Sequence, residues 1–166
     1  MKSIIYVFVT ILIIGCSQGQ DAVKQFTQDA LKAEIVKMND LSRKAMLSGD
    51  FESTLQNYTK DAISLPDYQP MAKGIEALKK NVEMQKQNPM SFTKFELTST
   101  DFWQTSNQVV DIGTYDMSMP MPQMPGGEYT DQGKYLNIYE IQIDGSLLIK
   151  VETWNSDVNP WMQMGQ

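Results

Sequence analysis

The hydrophobic pattern of this chain changes period once, after Pro89, and that change constrains the fold more than any other feature. Before it, apolar residues recur every three or four positions. After it, they alternate with polar residues in runs separated by turn signals. Helices first and strands afterwards predicts an α+β architecture, with the helices packed on one face of an antiparallel sheet.

In the first half, Val23, Phe26, Ala30, Leu31, Ile35, Met38, Leu41, Ala45 and Met46 form one stripe. They predict a helix from Asp21 to Leu47, capped by Asp21 and stopped by Gly49. Asp50 then caps a second, short helix with Phe51, Leu55 and Tyr58 on its inner side. Asp61 to Leu65 reads as a short strand ended by Pro66. Gly74 to Gln87 reads as a third helix, with Ile75, Leu78, Val82 and Met84 inward and Asn88-Pro89 as its stop. In the second half, strands are predicted over Ser91–Gln104, Gln108–Met119, Tyr129–Ile143 and Leu147–Asn155. Asp144-Gly145 is the strongest hairpin signal, and Pro120–Gly127 makes a longer hairpin loop. The 166 residues show no internal repeat and no linker long enough to separate two domains.

Composition removes several chemistries. The chain has no histidine and one cysteine, which excludes Ser-His-Asp and Cys-His nucleophiles, His-ligated zinc or haem, and a disulfide scaffold. A net charge of −6 argues against a nucleic-acid partner, which needs a basic footprint. No cofactor is implied.

Residues 1–16 read as an export signal. Lys2 precedes an apolar run from Ile4 to Ile14, too short for a transmembrane span, and the lone cysteine, Cys16, follows Gly15. The run Ile13-Ile14-Gly15-Cys16 resembles a bacterial lipoprotein signal, in which the cysteine is lipidated and becomes the first residue. That resemblance implies a cell-envelope protein held to the membrane by lipid on Cys16. Residues 17–27 then form a tether and the start of the first helix, 28–158 the domain, and 159–166 a tail. With Lys2 removed, the mature net charge falls from −6 to −7, so no basic patch assists the anchor.

The element order, with Tyr58-Thr59-Lys60-Asp61-Ala62, Lys73-Gly74, Asp131-Gln132-Gly133-Lys134-Tyr135, Asp144-Gly145-Ser146 and Trp154-Asn155-Ser156-Asp157, resembles the SnoaL-like proteins. These belong to the nuclear transport factor 2-like and ketosteroid isomerase-like superfamily. The resemblance covers residues 28–158. It implies a cone: three helices wrapped by a curved sheet around a pocket, often as a homodimer. Members include isomerases, cyclases, dehydratases and binding domains without catalysis, so the fold does not name a reaction. In the isomerase branch the general base follows the first strand. Here Pro66 stands at that position and Asp67 one residue late.

A turn centred on Asp144-Gly145 sets Trp154 opposite Tyr135, Glu152 opposite Asn137 and Lys150 opposite Tyr139. One face then carries Tyr135, Asn137, Tyr139, Ile141, Leu148, Lys150, Glu152 and Trp154. The other carries Leu136, Ile138, Glu140, Leu147, Ile149, Val151 and Thr153, and reads as the plain core face. The mixed face fits either a ligand pocket or a solvated, partner-facing side. As a pocket it offers Trp154, Tyr135, Asn137 and Tyr139 for binding a small organic ligand. For proton transfer it offers Glu152, Tyr58 and Asp67; a Glu152 enclosed beside Trp154 would have a raised pKa. Asp61 reads as a structural residue near the short helix.

Met117, Met119, Met121 and Met124 place four thioethers within eight residues. Soft thioethers suit Cu(I), though flexible methionine also suits a pocket lid or a contact surface. Three readings follow: a lipid-anchored ligand-binding domain, a proton-transfer enzyme of the same fold, and a Cu(I)-handling or protein-contact module.

Overall fold

A computed structural model describes residues 23–87 and 89–158. The predicted cap Asp21, the signal with Cys16, and the tail carrying Trp161 and Met164 lie outside those residues.

Helix α1 spans Gln28–Ser48 and starts later than its apolar stripe suggests. Thr27 is its N-cap, accepting from the Ala30 amide at 3.3 Å. Phe26 lies before the helix, outside any regular element, its amide bonded to the Gln104 side chain at 3.0 Å, and its ring still packs against the core. An apolar residue delivered by irregular chain thus counterfeits one more turn of stripe. Gly49 ends the helix in the left-handed conformation (φ 71°) that glycine adopts without steric penalty.

Asp50 caps α2, Phe51–Thr54, by accepting from the Ser53 amide at 3.2 Å, as predicted. A 3-10 turn, Leu55–Asn57, leads into β1, Tyr58–Leu65. Tyr58 therefore opens a strand rather than closing the short helix. Strand β2 (Ala72–Lys73) and helix α3 (Ile75–Gln87) follow, then β3 (Lys94–Thr105), β4 (Gln108–Pro120), β5 (Glu128–Ile141) and β6 (Leu147–Ser156). The six strands form one curved, unclosed sheet in the order β2-β1-β6-β5-β4-β3. Only the β1–β6 pairing is parallel.

The Asp144-Gly145 hairpin joins β5 to β6, with Gly145 at φ 83°. Its register places Trp154 opposite Tyr135 and Glu152 opposite Asn137, as expected. Beyond that point Tyr139 faces Ile149, not Lys150, because the pairing shifts by one residue between Ile138 and Tyr139. Lys150 is the extra residue of this bulge, and its ammonium turns outward to ion-pair with Asp61 and, at 3.8 Å, Glu140. Asp61 is thus an exposed salt-bridge partner on the outer face.

The bulge also reverses the core assignment. Leu147 and Ile149 join Tyr139, Ile141 and Val109 on the concave face, where Leu31, Ile35 and Met38 of α1 cover them. Leu136, Ile138 and Val151, expected in the core, lie half-buried on the outer face. A smaller cluster of Ala62, Ala72 and Leu78 fastens α3 to β1 and β2. Burial of each large aliphatic side chain contributes about 1.5–3 kcal/mol, so the α1 layer closes one end of the concave face firmly.

Candidate functional site

Cross-strand register stacks the concave face in transverse rows, because facing residues of adjacent strands share a side. The row nearest the core is Ile149, Tyr139 and Val109. Next comes a polar row, Ser64, Glu152, Asn137 and Asp111, crossing β1, β6, β5 and β4. Above it lie Trp154, Tyr135, Gly113 and Ser99. Farther along β4 and β5, the rows end in Met117 opposite Asp131 and Met119 opposite Tyr129.

Glu152 is the centre of the first polar group. The Tyr58 hydroxyl donates to its Oε2 at 2.8 Å, and Ser64 hydrogen-bonds it as well. Burial pushes its carboxyl above the usual range, outweighing those two bonds, which pull the other way. Burial, followed by the negative charge of Glu152, raises the Tyr58 phenol well above its ordinary value, so it stays a donor. Yet Tyr58, Asn137, Glu152 and Trp154 all keep partial exposure. Side chains that are desolvated by their neighbours and yet keep some exposure are not sealed as a closed core is.

The second group is built on Asp111, which has no exposed surface. Tyr135 donates to its Oδ2 at 3.0 Å and Ser99 to its Oδ1. The Asn39 amide of α1 reaches the Tyr135 hydroxyl at 3.4 Å. Burial raises the Asp111 carboxyl, against both hydroxyl bonds. A third group repeats this plan: Tyr115 donates to Asp131 Oδ2 at 2.8 Å, and Ser156 donates to Oδ1 at 2.6 Å.

The likeness of the two aspartate groups is written in the chain. Asp111-Ile112-Gly113-Thr114-Tyr115 on β4 and Asp131-Gln132-Gly133-Lys134-Tyr135 on β5 are both Asp-x-Gly-x-Tyr. In the antiparallel pairing each tyrosine faces the other's glycine and bonds the other's aspartate. A Cβ on Gly113 would lie 2.7 Å from the Tyr135 ring, and one on Gly133 would lie 2.6 Å from the Tyr115 ring. The rings lie down over bare backbone, which leaves room above the sheet. The sequence reading found no repeat, since five residues fall below the length at which one is sought.

Of the residues nominated from sequence, Tyr58 and Glu152 are in direct contact and Trp154 adjoins them in the rows. Asn137 donates to Tyr139 at 3.2 Å, and Tyr139 is sealed in the core as a structural residue. Asp67 does not join them: its Oδ2 accepts from the Ser156 amide at 3.0 Å, at the end of β6 near Tyr115. Ser64, Ser99, Asp111 and Asp131 were missed. An acid at an inward position of an alternating strand, as in Val109-x-Asp111-x-Gly113, was the available signal.

Met117 and Met119 sit at the far end of the concave face, while Met121 and Met124 belong to the β4–β5 turn, where the Met124 amide bonds the Met121 carbonyl at 2.8 Å. Among the described residues, no cluster of three or more acidic or cysteine side chains is placed to hold a metal ion, and no helix is long and apolar enough to cross a membrane. Two hollows flank α1, neither of them lined by Glu152, Asn137 or Trp154. One, of about 510 Å³, lies against α2. The other, about 350 Å³, runs between α1 and β3 and reaches Asn39 and Ser99.

No protein-family model matches the sequence, and no curated protein matches it. Solved structures do. A ketosteroid isomerase-like protein from Erwinia carotovora atroseptica aligns with a TM-score of 0.65 at 12% identity, over 81% of this chain and 100% of that one. A putative dehydratase of the NTF2-like family from Streptomyces avermitilis aligns at 0.63 and 14% identity, over 80% and 100%. An NTF-2 like protein of unknown function from Shewanella oneidensis aligns at 0.56 and 14% identity, over 75% and 98%. The chain therefore has the NTF2-like fold, as its element order implied.

Proposed function

We propose that this chain is an exported, lipid-anchored domain of NTF2-like fold that binds a small organic molecule in the recess above Glu152, Asn137 and Trp154. One observation carries the reading: the Tyr58–Glu152 pair is desolvated and hydrogen-bonded, yet both residues keep partial exposure. Burying an acid costs free energy that its two hydrogen bonds offset only in part, and convergent polar groups in a mostly apolar hollow are how ligand sites are built. Lipid on Cys16 supplies the membrane attachment, and the half-buried Ile112, Leu136, Ile138 and Val151 of the outer face supply a surface for a second copy.

Native mass spectrometry of the purified protein tests the reading. A co-purifying organic mass that is lost in Trp154→Ala supports it. A clean apo mass, with no small molecule from a fragment set shifting the Trp154 indole resonance, would overturn it.

A proton-transfer enzyme is the second reading, favoured by the raised carboxyl of Glu152 beside a phenol that stays protonated. Asp67 has no part in it, being engaged at the end of β6. Carbon-13 NMR of the Glu152 carboxyl checks the premise. Titration at the ordinary glutamate value of ~4.3 would remove the enzyme reading.

A further inference from the structure

The hydrogen-bond directions in the recess say what kind of molecule it suits. Three tyrosine hydroxyls project along the concave face, and each donates its proton to a carboxylate: Tyr58 to Glu152, Tyr135 to Asp111 and Tyr115 to Asp131. Ser99 and Ser156 donate to the same two aspartates. The protons that would greet a ligand's acceptor are therefore already engaged. Apart from one Asn137 amide hydrogen and the Trp154 indole N–H, what remains is carboxylate and phenol lone pairs together with aromatic ring faces, and both favour positive charge.

The cations are elsewhere. Among the described residues, no Lys or Arg occupies the inner rows. Lys94, Lys134 and Lys150 point to the outer face, where they pair with Asp116, Asp157 and Asp61. Arg43 pairs with Asp40 on the flank of α1 at 3.3 Å. A carboxylate or phosphate entering the recess would meet like charge without a counter-ion, a penalty that grows in a desolvated site. A neutral acceptor such as a ketone would find few donors.

We infer that the recess recognises an organic cation: a protonated amine on an apolar body, with its N–H groups on Glu152 and its charge against the Trp154 and Tyr135 rings. The inference rests on the ligand-binding reading above and names the ligand's chemical class. An ammonium supplies what the built site lacks, namely donors and the charge that two buried carboxylates leave uncompensated. The acidic row is also wide enough to be selective. Glu152 and Asp111 are separated by Asn137, two strand spacings apart (~10 Å), so a compact amine engages one carboxylate and leaves the other to its hydroxyls.

The test uses three probes with one body: 4-phenylbutylamine, 4-phenylbutanol and 4-phenylbutyrate, titrated calorimetrically into the purified protein at neutral pH and fixed salt. The amine is expected to bind at least tenfold more tightly than the alcohol, and the carboxylate most weakly. Glu152→Gln should remove the amine's advantage over the alcohol, and Trp154→Leu should weaken the amine independently of Glu152. If the alcohol or the carboxylate binds as well as the amine, the cation assignment falls and the ligand-binding recess stands. If the amine binds equally well to Glu152→Gln and Trp154→Leu, it is held by the acidic exterior and the assignment falls. If none of the three binds, the cation assignment and the recess both fall.

Discussion

Tyr135 stands directly opposite Gly113 on the neighbouring strand, and its ring lies over the bare Cα of that glycine while its hydroxyl reaches Asp111. Tyr115 treats Gly133 and Asp131 in the same way. The glycines are weak strand residues on their own, and the rings restore the packing that a missing side chain forfeits.

Alanine at Gly113 or Gly133 should therefore destabilise the fold. A Cβ at 113 would strike the Thr98 carbonyl and the Tyr135 ring; at 133 it would strike the Asn155 carbonyl and the Tyr115 ring. Backbone cannot step aside as a side-chain tip can, so each change should cost about 1–3 kcal/mol or more. Urea denaturation measures it. Unchanged midpoints would mean that the rings do not lie where described.

Stability should fall as pH rises above the ordinary carboxylic range. Burial raises the carboxyls of both Glu152 and Asp111, so the folded protein holds protons that the unfolded chain releases. The corresponding stabilisation is fully present below ~4.3 for Glu and ~3.9 for Asp, and is lost as pH climbs through the raised folded values. Asp61, held low by Lys150, and Asp144, held low by Ser146, run the opposite way, but both are exposed and weigh little. The urea midpoint followed against pH should decline, and Glu152→Gln should flatten that decline. An identical slope in the variant would show that Glu152 is not held high.

Lys150→Ala separates the two faces of β6. Because the bulge sends Lys150 outward to Asp61 and Glu140, its loss should change stability by no more than ~1 kcal/mol and leave the Glu152 titration where it was. Had Lys150 shared a face with Glu152, removing its charge would raise that carboxyl further. A clear upward shift in the carbon-13 titration would restore the unbulged register.

The proposed lipid anchor is on Cys16. Cys16→Ser should release the protein from the membrane fraction of the producing cell and abolish incorporation of labelled fatty acid. Retention on the membrane with serine in place would point to an anchor other than this thiol.

The fold was legible wherever a feature was local. The change of period at Pro89 announced helices before a sheet, Asp50 announced its cap, and Asp144-Gly145 announced its hairpin. The Tyr58–Glu152 contact was half legible: the two residues were nominated for the same chemistry, but the parallel β1–β6 pairing that joins them is a long-range event with no signature in either segment. The failures have physical causes. One bulged residue, Lys150, interrupts a period of two and exchanges the faces of everything before it in β6. Phe26 was given to a helix because periodicity registers burial, and irregular chain can bury a ring as well as a helix does. Asp111 escaped notice because a buried acid breaks the pattern by which strands are read.

The paired Asp-x-Gly-x-Tyr segments bear finally on how β4 and β5 find each other. The connection between them, from Met121 to Gly127, is too long to dictate alignment as a two-residue turn does. A slip of one residue would turn the slipped strand's aspartate, glycine and tyrosine out of the concave face together, leaving the other strand's tyrosine without its glycine and carboxylate. A slip of two would carry each ring off its glycine and onto a residue bearing a side chain. Every misaligned hairpin thus loses two ring contacts and two hydroxyl–carboxylate bonds at the same moment. The motif acts as a proofreading key, admitting one alignment and penalising its neighbours.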